Sequence, residues 1–377
     1  MSAAHPPRAE VLIDLSAVRH NVGLLAARAA ESGAETMAVV KADGYGHGAA
    51  PVARAAVEAG ASWLGTASLA EALDLRDAGI TVRLLSWLDT TGVDFTPGIA
   101  SDIELSVSSV QELARVADAA GRAGRTARVH LKIDTGLSRN GCPAYAWPDL
   151  VKAAAAEPDV DVVAIWSHLA CADEPGHPSI DMQANRFATA YAVAREAGLR
   201  PLRHLANSAA TLTRPDLHFD IVRPGIAVYG LNPVAQPEQL RPAMTFRSSV
   251  VLTKRIEAGE SVSYGHTWTA RRDTTLALVP VGYADGVPRT LSGRMSVWLW
   301  GSRRPVVGRV CMDQLVVDCG DDEPPLGAEV VLFGTGEVGE PTATEWAETI
   351  GTIDYEIVTG MYRPRVRRRF IGEAGRR

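Results

Sequence analysis

The sequence predicts an α/β fold, an N-terminal (β/α)8 TIM-type barrel followed by a C-terminal mostly-β domain. Three observations predict it. Short apolar runs alternate with helical patterns over the first two-thirds of the 377 residues; Pro233, Pro237 and Pro242 then gather; beyond them strand-length apolar segments follow one another. The division falls at residue 240, giving an α/β barrel over residues 1–240 and a β-rich domain over 241–377.

Residues 36–40 read as a buried strand, since strands covered by helices on both faces need no polar alternation. Residues 61–65, 82–86, 103–107, 127–133, 160–166 and 219–222 repeat the theme. Helices between them are punctuated by Ser68 with Glu71 and Ser109 with Glu112, two capping boxes, and by stops at Gly79 and Gly121. Roughly eight such units, with no dinucleotide-type glycine fingerprint after the first strand, favour a closed barrel over a doubly wound sheet. Beyond the prolines, residues 246–256, 274–279, 296–300, 304–307 and 329–333 read as strands, with a hairpin turn at Gly301-Ser302 and one short helix over 344–350.

Composition narrows the function. A net charge of -6 with mixed signs gives no broad attraction for nucleic acid or anionic lipid, and the arginines at 363, 365, 367, 368 and 369 read as a solvated surface. The first ten residues carry two prolines and no apolar core of a secretory signal, and no apolar stretch is long enough to span a bilayer; a cytoplasmic protein is expected. Four cysteines at 142, 171, 311 and 319 fit reduced thiols, not a disulfide framework. His47, His168, His204 and His266 lack H-x-H or HExxH spacing, so no metal site is expected.

The most informative stretch runs Val39-Val40-Lys41-Ala42-Asp43-Gly44-Tyr45-Gly46-His47-Gly48. It sets a lysine at the C-terminal end of a buried strand, where barrel active sites lie. Partial desolvation there favours the neutral amine, a nucleophile suited to forming a Schiff base with pyridoxal phosphate; a lysine snorkelling to the rim is the plain structural alternative.

This run resembles the cofactor-lysine motif of the alanine racemase family. Further motifs follow in order: Lys132, Asp134, Thr135, Gly136 and Arg139; Trp166-Ser167-His168; His204, Asn207 and Ser208; Arg223-Pro224-Gly225-Ile226; Val262-Ser263-Tyr264-Gly265; Gly282-Tyr283-Ala284-Asp285; Cys311-Met312-Asp313; and Tyr355-Glu356. The likeness covers about residues 10 to 360. It implies a pyridoxal-phosphate enzyme that interconverts L-alanine and D-alanine by a two-base mechanism, with Lys41 and Tyr264 as catalytic residues, in a homodimer whose subunits share active sites.

The resemblance also implies that Lys41, Tyr45, Arg139, His168, Asn207, Ser208, Arg223, Gly225, Ile226 and Tyr355 bind the cofactor. Tyr45, Ser208, Gly225, Ile226 and Tyr355 would take its phosphate, Arg139 its phenolic oxygen and Arg223 its pyridine nitrogen. A guanidinium keeps its proton, so that nitrogen would stay unprotonated and the cofactor would be a weaker electron sink. Arg139, Met312, Asp313 and Tyr283 would border the substrate, and Lys132 would be the lysine that members can carbamylate. A phenol is a weak acid, so the role of Tyr264 requires neighbours that favour its ionised form; His168 and Arg223 are the implied ones. Ser208 could equally cap a helix over 209–213, and Cys142 has no implied role. A broader or serine-directed racemase and a non-catalytic cofactor-binding barrel are the alternatives; Arg223 argues against a decarboxylase, which would set a carboxylate against the ring nitrogen.

Overall fold

The computed structural model describes residues 8–235 and 239–372; Met1 to Pro7 and Pro237 lie outside the described residues. The chain forms two compact units. One comprises residues 18–44 and 48–240; the other comprises the residues up to 17, residues 45–47 and the chain from 241 onward.

In the first unit the described residues form eight parallel strands: Glu35–Val39, Trp63–Thr66, Arg83–Ser86, Glu104–Val107, Ala127–Lys132, Val160–Trp166, Leu202–His204 and Ile221–Val222. The last pairs back onto the first, Glu35 beside Ile221. The sheet's two end strands are laced by backbone bonds, Asp220 N–H to Arg203 C=O at 3.1 Å and Arg223 N–H to Ala206 C=O at 2.9 Å, which nearly close the barrel. Met37, Trp63, Leu85 and Ile221 pack together at 0 % exposure inside. The strand Leu202–His204 was absent from the sequence reading because Arg203 and His204 interrupt any apolar run.

Helix punctuation follows the sequence closely. Ser68 Oγ accepts from Glu71 N–H and the Glu71 carboxylate answers, a complete capping box. At the next helix Ser109 accepts from Glu112 N–H, but the Glu112 carboxylate reaches Ser108 N–H instead. Gly121 is no stop: Val110–Ala123 runs through it and ends at Gly124, which takes the left-handed conformation.

The second unit carries a nine-stranded sheet in the order Leu252–Ile256, Thr274–Val279, Leu315–Gly320, Ser302–Val307, Ser296–Leu299, Glu329–Phe333, Met244–Ser249, Glu10–Asp14 and Arg367–Ile371. Three expectations need correction. The stretch 246–256 is two strands with different partners, broken at Val250-Val251. The hairpin turn is Trp300-Gly301, one residue earlier than expected, with φ of 53° and 82°; two successive positive φ angles mark a type I′ turn, which glycine eases. And Glu10–Asp14 pairs with Met244–Ser249 and Arg367–Ile371, so the N-terminal strand falls on the other side of the division drawn at 240. The C-terminal arginines sit largely exposed on or near an edge strand, where charge discourages further strand pairing.

Candidate active site

Lys41 follows the strand Glu35–Val39 and opens an unusual turn. Ala42, Asp43 and Gly44 adopt φ of 52°, 51° and 61°, a left-handed helical turn. Such backbone costs about 1–2 kcal/mol per non-glycine residue and persists only where neighbours hold it. Here Glu71 accepts from Ala42 N–H at 2.7 Å, Asp43 accepts from Ala49 N–H at 2.9 Å, and Gly44 N–H closes onto Val40 C=O at 2.9 Å. A lysine is thereby held at the barrel mouth on a strained, well-anchored turn.

Around it stand cations. Burial and then Arg139 pull the Lys41 amine below its ordinary value, with Glu71 opposing. Lys132, buried at the end of Ala127–Lys132, is pulled down to about 8 by burial first, then by Arg223, Arg139 and Lys41. Its Nζ lies 4.1 Å from the Trp166 ring centroid, and the Arg223 guanidinium lies 4.9 Å from the same ring. Arg139 is exposed on the loop that follows, where Asp134 accepts from the N–H groups of Gly136 and Ser138. Burial and the same four cations hold His168 neutral, well below its ordinary value.

Arg223 is buried and donates to His204 Nδ1 at 3.1 Å, Ser167 C=O at 2.7 Å and Leu205 C=O at 3.1 Å. Burial brings it down to about 9, still above neutral pH, so it remains a cation. Beside it, Asn207 caps the helix Ser208–Thr213 by accepting from Ala210 N–H at 3.1 Å; Ser208 is therefore not the cap. Ser208 Oγ accepts from Gly225 N–H at 2.7 Å and from Ala227 N–H at 3.3 Å, so the Gly225 amide implied for phosphate is already engaged and the Ser208 O–H is the donor left to point outward. The Ile226 N–H belongs to the same turn, in Ile226–Tyr229.

The second unit gathers the other residues. Tyr45 is buried with its ring centroid 6.0 Å from that of Tyr355; burial and this neighbour raise its phenol well above the ordinary value. Tyr283 and Ala284 donate their N–H groups to the carbonyls of Cys311 and Met312, both at 3.0 Å, which draws Tyr283, Met312 and Asp313 into one group. Tyr264 stands 71 % exposed between Ser263 and Gly265, both at positive φ.

Sequence reasoning gave no role to the groups that hold this arrangement. Buried Asp285 accepts two bonds from Arg8 at 3.0 and 3.1 Å and one from Gly282 N–H at 2.9 Å, while Arg365 binds Asp313 at 2.6 Å. No local pattern marks Arg8, whose partner is 277 positions away. Cys142 also gains a structural place: its N–H and C=O bond Lys132 and Asp134, and burial lifts its thiol to about 11, leaving it inert.

Residues 13–233 match the family model "Alanine racemase, N-terminal domain" and residues 243–370 match "Alanine racemase, C-terminal domain". The chain belongs to the alanine racemase family. An alanine racemase of Salinispora arenicola is 56 % identical over 371 residues, 97 % of this chain and 99 % of the other. One from Frankia casuarinae is 54 % identical, covering 98 % of each. Among solved structures, the alanine racemase of D-cycloserine-producing Streptomyces lavendulae superposes with a TM-score of 0.94 at 52 % identity over 98 % of both chains. That of Bartonella henselae, solved with covalently bound pyridoxal phosphate, gives 0.88 at 29 % identity over 96 % of this chain and 99 % of that one. Alanine racemases are pyridoxal-phosphate-dependent isomerases, and the barrel followed by a mostly-β domain is their architecture.

Proposed function

We propose that this alanine racemase works through pyridoxal phosphate held on Lys41, with Lys41 and Tyr264 as bases on opposite faces of the substrate carbon. The observation that carries this reading is the convergence of Lys41, Lys132, Arg139 and Arg223 at one end of the barrel, where burial first and neighbouring cations second lower both lysines. An anionic ligand offsets the gathered positive charge, and an amine shifted toward its neutral form suits attack on a carbonyl. Within the barrel unit the donors fit the cofactor, with the Ser208 hydroxyl and Ile226 amide for a phosphate, Arg139 for a phenolate and Arg223 for a ring nitrogen; Tyr45 and Tyr355 of the other unit, ring centroids 6.0 Å apart, are the hydroxyls the family resemblance adds. When bound, pyridoxal phosphate supplies the electron sink that makes an amino acid's α-proton removable.

The rest is the protein's work. Lys41, its amine pulled down first by burial and then by Arg139, accepts or returns the proton on the face from which D-alanine is made or consumed, and Tyr264 does so for L-alanine; a single fixed base would tend to return the proton to the side it left. Arg223 remains protonated and would donate to the cofactor's ring nitrogen, leaving that nitrogen without a proton and the cofactor a weaker electron sink, which would disfavour transamination. Lys132, with a pKa of about 8, is neutral in roughly a tenth of molecules at pH 7, the form that adds carbon dioxide and loses a proton to become a carbamate; the resulting anion would pair with Arg139. Met312 and Asp313 border the substrate carboxylate, while Tyr283 and Tyr355 narrow the entry to about the size of alanine. Among the described residues no helix is long and apolar enough to cross a membrane, which agrees with action in the cytoplasm. Tyr264 is exposed in the chain alone, which agrees with its donation to a second subunit.

The direct test is incubation of the purified protein and cofactor with L-alanine and, separately, L-serine. D-alanine is expected to form in large excess over D-serine; equal rates would overturn the alanine preference. Lys41→Ala is expected to abolish both racemisation and the borohydride-reducible covalent cofactor, and a reducible adduct persisting in that variant would remove Lys41 from the role.

A further inference from the structure

Barrel interiors are ordinarily filled by branched apolar side chains, yet a line of four polar side chains is buried here. Glu104, His130 and His204 are fully buried and stand in line with Arg223. Glu104 Oε2 is 2.7 Å from His130 Nε2, His130 Nδ1 is 2.8 Å from His204 Nε2, and His204 Nδ1 is 3.1 Å from Arg223 Nη1.

The direction of every proton in this line follows from donor and acceptor capacity. A guanidinium only donates, so His204 Nδ1 must accept. A neutral His204 then carries its hydrogen on Nε2 and donates it to His130 Nδ1. His130 in turn carries its hydrogen on Nε2 and donates to the Glu104 carboxylate, which only accepts. If His130 adopted the other tautomer, its Nδ1–H would turn to His204, and His204 would present a second N–H against Arg223. Glu104 excludes that state by demanding a donor at the far end. Burial keeps both rings neutral.

We propose that Glu104 and His130 are positioning residues for the reaction: they fix both imidazole tautomers and so hold Arg223 as an oriented cationic donor toward the cofactor ring. The inference rests on the function proposed above, since it assigns Arg223 that task. Every charged group facing the line supports this polarity. Arg83 Nε at 2.7 Å and Arg128 Nε at 3.5 Å face Glu104 Oε1, and Lys132 and Arg223 lie on the His204 side. Burial works against Glu104 ionising, but the bond from His130 and the nearby Arg83 outweigh it and keep it below the usual carboxylate range. Trp63 packs edge-on against His130 at 5.6 Å, and Trp166 stacks on His204 at 5.5 Å with planes 10° apart, so neither ring is free to flip.

Nitrogen NMR of cofactor-free protein with ring-labelled histidine reads the tautomers directly. His130 and His204 are expected to show protonated Nε2 and unprotonated Nδ1, with no titration between about pH 7 and 9, since burial pulls both rings below an ordinary imidazole. A hydrogen on either Nδ1, or titration of either ring, overturns the relay. Glu104→Gln, whose amide oxygen can still accept, is expected to keep both tautomers. Glu104→Leu is expected to give mixed tautomers at His130 and, in the cofactor-loaded enzyme, to lower kcat on the order of tenfold with KM for alanine nearly unchanged. A kcat equal to that of the wild type would overturn the positioning role. If the leucine variant does not fold, the wild-type and Glu104→Gln spectra decide the matter alone. Since those spectra need no cofactor, expected tautomers in a wild type that fails to racemise alanine would strike the proposed function and not the relay.

Discussion

Lys132 shows how a single buried amine reports on its surroundings. Its folded pKa of about 8 lies below the ordinary lysine value of 10.5, so between those two values the unfolded chain binds the extra proton. Folding stability from this group is therefore absent below pH 8, rises as pH climbs through 8, and is complete above 10.5. Lys132→Met, which removes the penalty, is expected to raise the melting temperature of the cofactor-free protein by about 2–5 °C at pH 7, with the gain fading by pH 10. Differential scanning fluorimetry across that range checks it, and a constant gain at every pH would contradict the assignment. Phosphate ion should narrow the gap at pH 7 by offsetting the same repulsion.

Among the elements, the turn at Gly282 to Asp285 has the most exacting geometry. A Cβ on Gly282 would lie 2.2 Å from Cys311 C=O and 2.6 Å from Met312 C=O, both backbone atoms that cannot swing aside. Gly282→Ala is expected to cost about 1–3 kcal/mol in urea unfolding and to lower kcat/KM by displacing Tyr283 and Met312; unchanged kcat/KM would separate this turn from the substrate. Such constraints explain what the sequence could disclose. Local signals were legible: the caps at Ser68 and Ser109, the apolar barrel strands, and the placement of Lys41 at a strand end. The short strand Leu202–His204 hides behind two polar residues, the break at Val250-Val251 lies inside an apolar run, and the left-handed turn after Lys41 depends on Glu71 from a different helix. Glu104 and His130 were invisible because a polar residue in a barrel strand gives no hint of its partner until the strands are side by side.

At the scale of the whole molecule, family resemblance supplied what local patterns could not, since Tyr264 has no sequence feature that links it to Lys41. Its 71 % exposure leaves it available to a second subunit. Mixing inactive Lys41→Ala chains with inactive Tyr264→Phe chains is expected to regenerate active sites, up to about one quarter of the wild-type number under random pairing, where each mixed dimer rebuilds one of its two sites; no recovery in proven mixed dimers would contradict shared sites. The two-base assignment itself is tested most directly by following loss of the α-hydrogen to deuterated solvent in Tyr264→Phe. Exchange from L-alanine is expected to fall by orders of magnitude while exchange from D-alanine, served by Lys41, persists. Undiminished exchange from L-alanine in that variant would contradict it.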